Sequence, residues 1–160
     1  METMIDQSER LASAHLFRGL NESALKLLLA ISHLVMFDKD QIIFHEGEVG
    51  CKLYIVMDGR VRISREVPGG GEEALSMLAC GESFGDMSVI EDREEVVRSA
   101  TARTHTDCFV LAFEKESFRE LLNSNHDISH VVLWNLVTKL AATVRSSNDK
   151  MMFLSTAARF

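Results

Sequence analysis

Apolar positions change period three times along the chain. Over residues 6–18, Leu11, Ala14 and Phe17 recur every third residue, which predicts an amphipathic helix. Asn21-Glu22-Ser23-Ala24 predicts the start of a second helix, with Asn21 as its N-cap and Ala24, Leu25, Leu28, Leu29 and Ile31 following at helical spacing. From about 36 to 113 the pattern breaks into short apolar runs. Residues 42–44, 53–57, 60–64, 74–78 and 108–113 each read as a strand. Asp58-Gly59 predicts a hairpin between two of them, and Pro68-Gly69-Gly70-Gly71 a longer loop. Many short strands with regular turns predict an antiparallel sandwich or barrel.

Helical period returns at 114, with Phe118, Leu121 and Leu122 in phase, and Asp127 is placed to cap a longer helix running from 128 to about 147. Its apolar positions, from Ile128, Val131 and Val132 to Leu140, Ala141 and Val144, wrap around more than one face. Such a helix needs a second partner besides the sheet. Leu133, Leu136 and Leu140 supply a 3–4 spacing that suits a helix pair, so a homodimer through the helix 128–147 is expected. After Arg145-Ser146-Ser147-Asn148-Asp149 the register is lost, and 148–160 is expected to be a mobile tail. The expected fold class is mainly β with flanking helices. One domain spans 1–147, with N-terminal helices over 1–37, strands over 38–113 and C-terminal helices over 114–147.

Composition narrows the function. A chain of 160 residues, 46% of them hydrophobic, is enough for one domain with a real core. No run of 18 apolar residues exists to suggest a transmembrane helix, and residues 1–6 have neither the basic nor the apolar region of a secretory signal. Three widely spaced cysteines, Cys51, Cys80 and Cys108, argue against a disulfide framework or a cysteine metal site and point to reduced thiols in a cytoplasmic protein. The net charge of −7, without a basic cluster, argues against nucleic acid as a direct partner and no membrane partner is expected.

The candidate chemistry lies in Phe84-Gly85-Asp86-Met87-Ser88-Val89, answered downstream by Arg98-Ser99-Ala100-Thr101-Ala102. Gly85 lets backbone amides approach a ligand closely, and a helical turn over 86–90 would aim its free N–H groups at an anion. Arg98 can close such a site with a planar fork suited to phosphate. His126 and His130, at i and i+4, have a spacing that can bind zinc, but no third ligand is suggested nearby and no metal is expected. No Ser-His-Asp or Cys-His set has a supporting motif, so no catalytic residue is assigned and the chain is not read as an enzyme.

Two segments resemble the cyclic-nucleotide-binding domain family. Ile43-Phe44-His45-Glu46-Gly47-Glu48-Val49-Gly50-Cys51-Lys52-Leu53-Tyr54-Ile55-Val56-Met57-Asp58-Gly59 is similar to the family's I-x-x-E-G-E-x-G-x-x-x-Y-I-V-x-x-G segment. Phe84 to Val89 followed by Arg98-Ser99-Ala100-Thr101 is similar to its phosphate-binding cassette, F-G-E-x-[AS]-L with R-[AST]-A-T. The resemblance implies an eight-stranded antiparallel β-roll flanked by helices. It implies that Arg98 pairs with a cyclic phosphate, with Gly85, Ser99 and Ala100 lining the same oxygens, and that Asp86 stands where family members contact the ribose hydroxyl with Glu. Phe84, Met87 and Ser88 complete the cassette. Val97 replaces a common proline, and the linker 91–95 is strongly acidic. The expected ligand is cyclic AMP or cyclic GMP, with Ser99 leaning to cyclic AMP. The expected function is a stand-alone cyclic-nucleotide sensor acting on an unknown protein effector. The alternative is a degenerate fold serving as an interaction module with weak or no nucleotide binding, motivated by Asp86 and the acidic linker.

Overall fold

The computed structural model describes residues 4–157, with side chains from Gln7 onward. Helix α1 (Met4–Ser13) and helix α2 (Glu22–Ala30) precede strands β1 (Ser32–Phe37), β2 (Ile42–Phe44), β3 (Lys52–Asp58), β4 (Val61–Glu66), β5 (Glu72–Leu78) and β6 (Ser83–Phe84). Helix α3 (Asp86–Ile90), strands β7 (Thr101–Thr104) and β8 (Cys108–Glu114), and helices α4 (Lys115–Ser124) and α5 (His126–Ala157) follow. The eight strands form two four-stranded antiparallel sheets, ordered β1-β8-β3-β6 and β2-β7-β4-β5.

Strand β3 shows how the layers are built. Successive side chains of a strand point to opposite faces. Leu53, Ile55 and Met57 pack with the helices, beside Phe17, Leu28, Phe113 and Phe118, whereas Tyr54 and Val56 pack between the sheets with Val61, Phe84, Ala102 and Val110. Both faces are buried, so the segment reads as a continuous apolar run. Strand β5, at the edge of the other sheet, is exposed from Glu72 to Met77.

Several expectations are corrected. Helix α1 ends at Ser13, because Ser13 Oγ donates to the Arg10 carbonyl (2.7 Å) and the chain continues through tight turns such as Phe17 N–H to Ala14 (3.0 Å). Leu11, Ala14 and Phe17 still reach the core together. Ser32–Phe37 belongs to the sheets rather than to the N-terminal helices, paired along its length with β8. Asp58-Gly59 does not form a hairpin: β3 and β4 lie in different sheets, and the turn carries the chain between layers. The loop over 68–71 does close one, between β4 and β5, with Gly70 N–H bonded to Val67 (3.2 Å). Asp127 lies in the first turn of α5 instead of capping it.

The segment 148–157, expected to be a tail, continues α5 to Ala157; residues 158–160 lie outside the described residues. No glycine or proline interrupts it, so loss of the apolar pattern does not end the helix. Along α5 only Ile128, Val132 and Leu136 are fully buried. Asn135 fastens this part to the carbonyls of Leu16 (3.1 Å) and Arg18 (2.9 Å).

Candidate functional site

Three backbone segments converge where β6 meets α3. Gly85 sits between them at φ +78°, a left-handed conformation that glycine adopts without the penalty of a Cβ. The loop over 46–50 is laced to residues 96–98 by Arg98 N–H to the Glu48 carbonyl (2.7 Å), Gly47 N–H to Arg98 (2.8 Å) and Gly50 N–H to Val96 (2.8 Å). That lacing turns the Arg98 side chain inward, leaving it 6% exposed.

The guanidinium is held by neutral groups. Nη1 donates to Ser88 Oγ (2.6 Å) and more weakly to the Gly85 carbonyl (3.4 Å), and Nη2 donates to the Lys52 carbonyl (2.9 Å). Its central carbon lies 4.1 Å from the ring centroid of Phe44 and 5.8 Å from that of Tyr54, so the aromatic faces carry part of the charge's stabilisation. Among the described residues, no carboxylate makes an ion pair with it. A buried cation without a counter-ion is costly. Burial accordingly pushes the Arg98 pKa below its ordinary value, opposed by more distant charges.

The space around this cation is closely shaped. A Cβ at Gly85 would stand 2.6 Å from Arg98 Nη1 and 2.7 Å from the Lys52 carbonyl. A Cβ at Gly50 would stand 2.4 Å from Ser88 Oγ and 2.5 Å from Arg98 Nε. Gly50 therefore leaves room for the close approach of Ser88 and Arg98.

Gly85, Ser88 and Arg98 are thus brought together. Ser99 is exposed and Ala100 is buried, both following Arg98 into β7. Phe84 stacks on Tyr54 at 4.9 Å in the core between the sheets, whereas Met87 is exposed. Asp86 faces elsewhere. One carboxylate oxygen accepts a hydrogen bond from Lys139 Nζ of α5, and the other is buried without a partner. Asp86 also borders a cavity of about 160 Å³ among α3, α4 and α5, which Arg98 does not line.

The acidic linker is drawn toward other bases. Arg119 of α4 pairs with Asp92 (2.9 Å), Arg93 pairs with Glu91 (3.5 Å), and Lys115 Nζ donates to the carbonyls of Glu91 (3.1 Å) and Arg93 (3.0 Å). His126 and His130 are exposed, and among the described residues no group of three or more metal-ligating side chains is found. No helix of the described residues is long and apolar enough to cross a membrane.

Sequence reasoning missed Phe44, Tyr54 and Lys139. The two aromatics lie inside the first matched segment, and the inward parity of Tyr54 on β3 was a usable signal. Lys139 follows Val132 and Leu136 at i+7 and i+3 on the core-facing stripe, where a lone cation is conspicuous.

Residues 34–125 match the family model described as cyclic nucleotide-binding domain. The cyclic AMP receptor protein of Thermus thermophilus is 33% identical over 140 residues, covering 88% of this chain and 62% of that protein. A CRP-like cAMP-activated global transcriptional regulator of Mycobacterium tuberculosis is 30% identical over 141 residues, with the same 88% and 62% coverage. The crystal structure of the Thermus thermophilus catabolite activator protein superposes with a TM-score of 0.77 at 32% identity, covering 89% of this chain and 63% of that one. The chain therefore spans less than two thirds of the length of these relatives.

Proposed function

The chain belongs to the cyclic nucleotide-binding domain family, and from that premise we propose that it is a sensor for a cyclic nucleotide, cyclic AMP before cyclic GMP. The observation that carries the reading is Arg98: a buried guanidinium held by carbonyls, a hydroxyl and aromatic faces, with no ion-paired carboxylate among the described residues. A cyclic phosphate supplies the missing charge. In this role Arg98 grips the phosphate, Gly85 and the amides of Ser99 and Ala100 line its oxygens, and Ser88 holds the guanidinium in place. The relatives named for cyclic AMP support that ligand. Calorimetric titration with cyclic AMP and cyclic GMP tests the proposal; saturable binding of neither would overturn it.

The reading extends to a homodimer through α5. Leu133, Val137, Leu140 and Val144 are all exposed and recur at spacings of four, three and four residues, the period of a helix pair. Leu136, included in the seam on sequence grounds, packs into the chain's own core instead. A twofold contact would repeat the exposed stripe on both subunits. Val137→Glu together with Val144→Glu is expected to halve the mass seen by light scattering. A wild type that stays monomeric at high micromolar concentration would contradict the dimer. The acidic net charge supports a protein effector rather than direct nucleic-acid binding by these residues.

A further inference from the structure

We propose that Lys115 and Arg119 of α4 are positioning residues for the anion site: they hold and offset the acidic linker, so that its carboxylates do not oppose a phosphate at Arg98. The inference rests on the cyclic-nucleotide reading and concerns how strongly that site attracts its ligand. The linker Glu91-Asp92-Arg93-Glu94-Glu95 joins α3 to the segment that carries Arg98. Its far end is fixed. Gly50 N–H bonds the Val96 carbonyl (2.8 Å), Val97 bridges to Val49, and Arg98 N–H bonds the Glu48 carbonyl (2.7 Å). Glu95 stands three residues before Arg98, so the two backbones lie within about 11 Å. Screening extends to about 30 Å at 0.01 M salt, so a charge held that close is felt. The course of the near end of the linker therefore decides what an incoming anion meets.

Helix α4 sets that course. Lys115 and Arg119 are four residues apart and share a face of the helix, which Phe118 and Leu121 anchor in the core. The helix begins beside the site: Lys115 N–H bonds the Cys51 carbonyl (2.8 Å), next to the Lys52 carbonyl that accepts from Arg98. Lys115 Nζ donates to the carbonyls of Glu91 (3.1 Å) and Arg93 (3.0 Å), so a half-buried ammonium grips linker backbone. Arg119 adds its pair with Asp92, but the Asp92 side chain is 91% exposed, and so open an ion pair holds little. Lys115 is therefore the main fastening. Both cations also stand beside the linker carboxylates and offset their field. Burial lowers the Arg98 pKa, and the carboxylates that oppose this most are Glu48 and Asp86, with none from the linker.

The test is calorimetric titration of cyclic AMP at about 10 mM and about 300 mM salt, which exposes and then screens surface charge. Lys115→Met with Arg119→Met should bind about fivefold more weakly than wild type at low salt, and within about twofold of it at high salt. Adding Glu94→Gln and Glu95→Gln to that protein should restore most of the loss. The charge-matched control, Lys26→Met with Lys39→Met on the exposed surface, should stay within about twofold of wild type at both salts. Equal affinity of the α4 variant and wild type at low salt overturns the inference. A deficit that survives high salt and the glutamine substitutions overturns it too, because α4 then acts only through packing. So does a control as weak as the α4 variant. Glu94→Gln with Glu95→Gln in the wild-type background leaves α4 intact and decides the matter even if the α4 variant does not fold. Affinity within about twofold of wild type supports the shielding, and a fivefold gain at low salt refutes it. A wild type that binds at neither salt overturns the nucleotide reading, and this inference with it.

Discussion

Arg98 and Asp86 flank the same glycine turn and differ in what the chain provides for them. Arg98 is a buried cation with no ion-paired carboxylate among the described residues, stabilised by a hydroxyl, two carbonyls and two aromatic faces. Asp86 is a carboxylate with an ammonium from the last helix already on it. Among the described residues the fold thus gives Arg98 no ion-paired carboxylate, whereas it gives Asp86 an ammonium on one of its two oxygens. Sequence places both in one cassette, so the contrast lies in tertiary contacts, and a ligand should feel the first charge far more than the second.

The contrast is broken most severely at the turn between them. Gly85→Ala places a Cβ against Arg98 and the Lys52 carbonyl and forces a left-handed backbone on a residue with a side chain, which costs about 1–2 kcal/mol by itself. A urea midpoint lowered by at least that energy is expected, together with loss of nucleotide binding because Arg98 is displaced. Unchanged stability would mean that the turn is not closed as described.

A smaller effect isolates the Arg98 side. Phe44→Leu removes the ring 4.1 Å from the guanidinium but keeps an apolar residue between the sheets. The lost cation–π contact is expected to weaken cyclic nucleotide binding by about 1 kcal/mol, roughly fivefold in Kd. Affinity equal to wild type would show that the ring does not orient Arg98. The smallest effect belongs to the other charge. Asp86→Ala should leave cyclic AMP affinity within about threefold, since the carboxylate is engaged by Lys139. A tenfold loss would place Asp86 on the ligand.

Much of this was legible in the sequence because it is local. The apolar run of β3, the cap at Asn21, whose side chain accepts the Ala24 amide (2.9 Å), and the spacing of the cassette all follow from neighbours within a few residues. What could not be read depends on distant partners. Asp58-Gly59 has the composition of a hairpin turn, but whether its strands pair or part depends on β8 inserting beside β3. Ser32–Phe37 has no sharp period, and it is a strand because β8 lies next to it. Lys139 and Asp86 are 53 residues apart, and only the packing of α5 over the turn reveals their contact. The glycines divide similarly: Gly85 announces close approach within its motif, whereas the role of Gly50 emerges once Arg98 and Ser88 are packed against it.

The central claim is that the unpaired charge of Arg98 is the anion site, and calorimetric titration of cyclic AMP into wild type and Arg98→Ala tests it most directly. Hydrogen bonds to charged groups contribute about 1.5–3 kcal/mol each, so the substitution should weaken binding at least tenfold, about 1.4 kcal/mol or more. Arg98→Lys should recover only part of that loss, because a point charge cannot grip two oxygens as a planar fork does. Wild-type and Arg98→Ala proteins that bind cyclic AMP with the same affinity would contradict the account.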